Sequence, residues 1–200
     1  SSIANLGTLL QVKGDLDAAE PLQREVLEVR RKTLGNRHPS TLVSVSNLGT
    51  LLQAKDDFAA AEPLQREALV GQRETLGDRH PSTHISVANL GTLLKSKGDL
   101  AAAEPLFREA LEGMRETLGN RHRSTLISIS NLGLLLKAKG DLAAAERMLC
   151  EALEGLRETL GNQHPTTLNV INNLAKCAAE GQGSSTPQSL GRGYTSHLSA

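Results

Sequence analysis

The chain has no tryptophan, one tyrosine and two phenylalanines in 200 residues. Its interior must be assembled from Leu, Ala, Val and Ile, without the aromatic anchors that dominate many cores. Cys150 and Cys177 are the only thiols, too few for a disulfide framework and in no metal-binding spacing, so they read as reduced side chains. No apolar run approaches the roughly 18–20 residues that span a bilayer, and no charged-then-apolar leader is present. Basic and acidic residues balance at 22 each, so no net field draws the chain toward nucleic acid or a membrane surface. A Gly-rich phosphate loop, a nucleophile elbow and a paired-Cys motif are all missing. The missing motifs predict a protein that is not an enzyme and needs no cofactor or metal. The balanced charge and short apolar runs predict contact with neither nucleic acid nor membrane, and the reduced thiols point to the cytoplasm. The missing leader says little of a chain that opens inside a repeat.

What is present is a period. Asn5, Asn47, Asn89, Asn131 and Asn173 recur every 42 residues, each followed by Leu and then by Gly, with Ala175 in the final copy. A duplicated unit of this length cannot bury its own apolar face, so copies must stack into an open-ended solenoid.

Residues 80–121 show the unit. His80-Pro81-Ser82-Thr83 opens a helix, with Pro in the first turn where its missing N–H has no partner to lose. Ile85, Val87, Leu90, Leu93 and Leu94 make an apolar stripe at helical spacing. Gly98 stops this helix A, and Asp99 is placed to cap helix B. Leu100, Ala103, Phe107, Ala110, Leu111, Met114 and Leu118 form the second stripe, which Gly119 ends. Gly14 and Gly140, and Gly35, Gly77 and Gly161, repeat the punctuation, while Asp56 stands where a glycine is expected and predicts a strained left-handed turn. Pro21, Pro63 and Pro105, about six residues into helix B, predict a kink or an irregular second turn, because an interior Pro costs about 3 kcal/mol. Gly71, Gly113 and Gly155 each cost about 1 kcal/mol relative to Ala, which suggests close approach of a neighbouring helix. His38, His80, His122 and His164 lie one repeat apart, on the order of 10 Å. That is too far for ligands of one ion at about 2 Å, and they read as residues that set up the helix start.

The array is expected over residues 1–179, with a partial first repeat, full units through about 161 and a capping helix over about 166–179. Residues 180–200, rich in Gly, Ser, Thr, Pro and Gln, are expected to be a disordered tail. The chain opens at Ser1 inside a repeat, which suggests a fragment of a larger protein.

Asn89-Leu90-Gly91 followed by Leu94, Gly98, Ala103, Phe107 and Ala110 resembles the tetratricopeptide (TPR) pattern. The 42-residue period, with Leu-Gly-x-x-His-Pro-x-Thr between units and Ala-Glu-Pro-Leu in helix B, resembles the kinesin light chain repeats. Similar repeats occur in nephrocystin-like scaffold proteins. The resemblance implies an all-α fold, a right-handed α-solenoid of tandem helix-turn-helix repeats. It departs from the pattern where Gln23, Gln65 and Leu149 replace the aromatic of Phe107, and where Arg123 and Arg147 replace prolines.

In such folds helix A lines the concave surface, and the recurrent asparagine points into it. The resemblance thus implies peptide-binding roles for Asn5, Asn47, Asn89, Asn131 and Asn173. An amide carries donors and an acceptor and can pair with the backbone of an extended peptide whatever its side chains. The alternative is that each asparagine bonds a neighbouring helix and stiffens the stack. Beside the ladder lie Thr8, Thr50, Thr92, Leu134 and Lys176, and further along helix A come Gln11, Gln53, Lys95 and Lys137. If Lys95 and Lys137 share the groove, its later half favours acidic peptides. Lys13, Lys55, Lys97 and Lys139 are better explained as complements of the helix dipole. The function implied is recognition of linear peptide motifs, with kinesin heavy chain or cargo adaptors as partners and microtubule-based transport, in association with the cytoskeleton, as the setting. The competing readings are a passive scaffold or oligomerisation segment, and a regulatory arm of a larger signalling or ciliary protein.

Overall fold

The structure, a computed structural model, describes residues 2–183. Nine helices run through them and no strand occurs among the described residues: α1 (Ser2–Val12), α2 (Leu16–Leu34), α3 (Pro39–Ala54), α4 (Phe58–Leu76), α5 (Pro81–Ser96), α6 (Leu100–Leu118), α7 (Arg123–Ala138), α8 (Leu142–Leu160) and α9 (Pro165–Gly183). Odd-numbered helices are the A helices and even-numbered ones the B helices. Each of α1, α3, α5 and α7 packs along the B helix that follows it, and each B helix packs on the next A helix.

Helix ends are set by local chemistry that repeats with the sequence. The Asp15, Asp57, Asp99 and Asp141 carboxylates accept from the backbone N–H three residues on, at 3.0–3.2 Å. Gly35, Gly77, Gly119 and Gly161 close the B helices at φ of 83–86°, a region that costs a Cβ-bearing residue. Asp56 adopts it regardless, at φ 60°, and is the only such non-glycine among the described residues. The loop histidines prove to be caps. Nδ1 of His38, His80, His122 and His164 accepts from the N–H two residues on, each at 3.1 Å, where Ser or Asp would usually serve.

Ala19, Ala61, Ala103 and Ala145 are wholly buried, and the core around them is Leu, Ile and Val with Phe107. The three glycines inside the B helices answer the packing expectation. A Cβ on Gly71 would lie 2.4 Å from Leu42 Cδ2, and one on Gly155 would lie 2.4 Å from Leu126 Cδ2. The N-terminal turn of each A helix presses a side chain into its own B helix there.

Three expectations need correction. The B helices run unbroken through Pro21, Pro63 and Pro105, so packing along both sides holds the helix where one backbone bond is lost. Ile85 does not join the core and is 44% exposed, on a face of α5 that the neighbouring helices leave uncovered. The last helix continues past residue 179 to Gly183. The remainder of the expected tail, residues 184–200, lies outside the described residues.

Successive A helices α3, α5, α7 and α9 approach one another, whereas no comparable approach links successive B helices. A stack that is narrower along its A helices curves around them. The A helices therefore form the inner face.

Candidate functional site

On α3 the residues Val43, Asn47 and Thr50 are spaced by four and three, which places them on one helical face. Val43 is 44% exposed, and Asn47 and Thr50 are also exposed. The same face carries Ile85, Asn89 and Thr92 on α5, then Ile127, Asn131 and Leu134 on α7, all half-buried except the exposed Ile85. Asn5 and Thr8 of α1 are exposed, and Asn173 of α9 is half-buried. The inner face is thus a row of amides flanked by aliphatics that the sequence pattern had assigned to the core or left unremarked.

The ladder is not uniform. Asn89 Nδ2 donates to Ser46 Oγ (3.1 Å) on the preceding A helix. Ser46 Oγ donates in turn to Gln65 Oε1 (3.2 Å), and Gln65 Nε2 donates to the Ser46 carbonyl and to Thr50 Oγ1, both at 3.1 Å. Gln65 is wholly buried, and this network satisfies its amide. Asn89 therefore fills the stiffening role and Thr50 shares in it, while the Thr92 hydroxyl donates to its own helix at the Ala88 carbonyl (2.9 Å). Asn5, Asn47, Asn131 and Asn173 make no side-chain hydrogen bond among the described residues, and their amides stay available.

The two lysines separate as well. Lys137 lies 2.8 Å from Glu180 on α9, so its charge is answered within the protein. The corresponding reach from Gln53 ends at Ser96 (3.1 Å). From Lys95 the same step arrives at Ala138, which offers no side-chain partner. Burial alone pushes the Lys95 ammonium below its ordinary pKa. It is a half-buried cation without a counter-charge among the described residues.

A cavity of about 190 Å³ opens between α1, α2 and α3. Asn5, Thr8 and Asn47 edge it, Val26 and Val43 line it, and Arg30 and Ser44 contribute its most polar wall. Arg30 Nη1 donates to the Ser40 carbonyl (2.9 Å) and to Ser44 Oγ (2.6 Å). Sequence reasoning missed Arg30. Its signal was the column Arg30, Gln72, Met114 and Leu156, which changes character at every repeat while its surroundings stay nearly constant.

Away from this face, ion pairs tie each repeat to the next. Lys55 reaches Glu20 and Asp17 (both 2.7 Å), Lys97 reaches Glu62 (2.5 Å) and Lys139 reaches Glu104. These lysines, read above as dipole complements, act as ties to the preceding B helix. Their hydrogen bonds, seconded by Arg24, Arg66 and Arg108, hold the Glu20, Glu62 and Glu104 carboxyls below their ordinary pKa. Arg31 with Glu67 (2.7 Å), Arg73 with Glu109, and Arg115 with Glu151 (2.7 Å) form a second ladder. Arg37 with Glu74 (2.9 Å), Arg79 with Glu116 (3.9 Å) and Arg121 with Glu158 (2.7 Å) form a third.

Among the described residues no group of three or more His, Cys, Asp or Glu is placed to hold a metal ion, and no helix is long and apolar enough to cross a membrane. Cys150 is exposed and Cys177 buried, and neither is in a disulfide.

The tetratricopeptide repeat model matches residues 1–74, 44–116 and 83–158. The chain belongs to the tetratricopeptide repeat family. Its TPR array is of the kinesin light chain type. It is similar to the crystal structure of the nearly identical TPR-like repeats of a Podosopora anserina protein assigned to the kinesin light chains, at 28% identity and TM-score 0.71, covering 92% of this chain and 87% of that one. A variant of that protein matches at 28% identity and TM-score 0.72 with the same coverage. BtubC (BKLC) from P. vanneervenii shares the fold at 20% identity and TM-score 0.68, covering 99% of this chain and 86% of that one. Among curated protein sequences none matches. TPR arrays are protein-interaction scaffolds.

Proposed function

We propose that the TPR array holds an extended segment of a partner protein along its inner face. The observation that carries this reading is the row of uncommitted amides at Asn5, Asn47, Asn131 and Asn173, set beside the aliphatics Val43, Ile85 and Ile127. Amides spaced by whole repeats pair with peptide backbone, and the aliphatics between them take alternate side chains of an extended strand. Lys95, half-buried and without a counter-charge, favours an acidic residue in the ligand, whereas Lys137 is already paired with Glu180. Likeness to the kinesin light chain repeats supports cargo adaptors or kinesin heavy chain as the partner class, in the cytoplasm and on microtubules. Asn89 favours the second reading, a scaffold whose ladder is structural, because its amide is spent on Ser46.

The test is a pull-down from cell lysate with the wild-type chain and an Asn47→Ala, Asn131→Ala double variant, with matched folding shown by circular dichroism. Neither side chain makes a hydrogen bond among the described residues, so its loss removes ligand contacts without loosening the stack. Partners captured by the wild type and lost by the variant are expected. Identical captures would sink the groove reading and leave the scaffold.

A further inference from the structure

The start of α5 differs from the starts of α3 and α7. All three are capped by a histidine, and in α5 this is His80, whose Nδ1 accepts from the Ser82 N–H (3.1 Å). One turn further, α3 and α7 press Leu42 and Leu126 into a glycine of the facing B helix, whereas α5 presses His84 against Gly113. Two histidines thus sit in the first turns of α5, one holding its end and one wedged into α6. The wedged ring is buried and makes no hydrogen bond of good geometry.

Both roles require a neutral ring. A protonated cap has no acceptor left, because both nitrogens then donate. A protonated wedge puts a charge into a notch that holds leucine in the adjacent units. The charges around His84 offer it no free partner. From α6 it is faced by Glu109 and Glu116, which are taken by Arg73 of α4 and, at 3.9 Å, by Arg79 of the α4–α5 loop. Glu74 of α4 is paired with Arg37 (2.9 Å) and Asp78 of the loop with Arg73 (3.2 Å). His80, one turn away, adds a like charge in acid. The sequence of α3 contains no charged residue, and that of α7 contains only Arg123 and Lys137.

The other polar ties of α5 lie on its N-terminal side. Asn89 donates to Ser46 and Gln53 donates to Ser96, both at 3.1 Å and both joining α5 to α3. Among the described residues no side-chain hydrogen bond or ion pair joins α5 to α6 or to α7. The wedge is therefore the polar group on which the seam between α5 and α6 turns.

We infer that the start of α5 is an acid-operated release, in which protonation of His80 and His84 frees its first two turns from α6 while the same turns of α7 stay docked through Leu126. Ile85 and Asn89 lie in those turns, so acid interrupts the inner face at a middle unit of the array. Nothing in this release depends on what the inner face binds.

Hydrogen exchange tests it, with one helix as the control for another. Amides over Ile85–Asn89 and over Ile127–Asn131 are followed by mass spectrometry at pH 7.5 and pH 5.5, with rates corrected for the intrinsic effect of pH. Both stretches lose a histidine cap in acid, so the difference between them reports the wedge. Protection over Ile85–Asn89 should fall about tenfold more, the ratio of charged to neutral imidazole one unit below its ordinary value of about 6.5. His84→Leu, the side chain carried at Leu42 and Leu126, should bring the two stretches level. His80→Ser, a cap with no charge to gain, should keep the share that belongs to His84. The wild-type comparison stands even if a variant folds poorly. The release is overturned if the two stretches lose protection equally, if neither loses any, or if the excess loss survives His84→Leu. It is also overturned if His80→Ser alone removes the excess, which would leave the wedge without a part.

Discussion

His84 stands where Leu42 and Leu126 press into a glycine of the facing B helix, and it is only 5% exposed. A Cβ on Gly113 would lie 2.0 Å from its Cε1, and neither ring nitrogen makes a hydrogen bond of good geometry, the Arg79 backbone offering at most a poorly aligned one. Burial pushes its pKa below the ordinary value, with the Glu109 and Glu116 carboxylates opposing in part. A histidine kept neutral in the fold but free to protonate when unfolded costs stability in acid. Stability is therefore flat above about pH 6.5, the unfolded value, and falls as pH drops below it. His84→Leu should remove that slope and stabilise the chain at neutral pH by about 1–3 kcal/mol, since two unsatisfied nitrogens give way to the side chain its equivalents carry. Urea titrations of both proteins at pH 7.5 and 5.5 measure this. Gly155→Ala should do the opposite. Better helix propensity gains about 1 kcal/mol, yet the new methyl group meets Leu126 at 2.4 Å, and overpacking costs about 1–3 kcal/mol. A fall in melting temperature is expected, and a rise would show that Leu126 can move aside. The glycines were legible in the sequence as an anomaly of propensity. His84 was not, because a residue at the edge of an amphipathic stripe can face the core or solvent, and only the position of helix B decides.

At the scale of helices, the boundaries marked by Asp and Gly could be read almost to the residue, whereas the unmarked end of α9 lies four residues beyond the expected one. Asp and Gly act within three or four positions of themselves, so Asp99 and Gly119 carry their meaning locally. The ion-pair ladders could not be read, since Lys97 and Glu62 are 35 residues apart and meet only because two helices and a turn bring them together. These pairs add a second pH dependence. The folded pKa of Glu20, Glu62 and Glu104 is depressed, so their contribution is complete above the unfolded value of about 4.3 and is lost as pH falls through the folded value. The wild-type chain should therefore lose stability in two acid steps, and the lower one should shrink in high salt, which screens exposed pairs. A Glu62→Gln, Glu104→Gln variant followed by thermal melts from pH 6 to pH 3 should show a smaller lower step. A step of the same size would detach it from these carboxylates. At neutral pH the double substitution should cost no more than about 1 kcal/mol per pair.

Along the whole molecule the interior changes from polar to apolar. Gln23 and Gln65 give way to Phe107 and Leu149 in one column, and Arg30 and Gln72 give way to Met114 and Leu156 in another. Gln23 and Gln72 each leave a buried polar atom without a partner, while Leu149 and Leu156 in the same columns are wholly buried. Both α4 and α8 have neighbours on each side, so they can be compared fairly. Amide hydrogen exchange should be faster in α4 than in α8, because a repeat with a polar interior opens at lower free energy than one with an apolar interior. Equal protection would mean that the hydrogen bonds of Gln65 repay its burial in full. The period announced the solenoid, but this gradient sits in exchanges that look conservative residue by residue and acquire meaning only once the columns are known to be buried.

The three ion-pair ladders have a consequence for how such a chain can evolve. Their members are separated by 35, 36 and 37 residues, and each bond joins one unit to its immediate neighbour. Excising 42 residues between equivalent points rejoins each donor with an acceptor of the same kind at the same separation. Unequal crossing-over can thus change copy number without opening a mismatched seam, and the length of the array is free to drift.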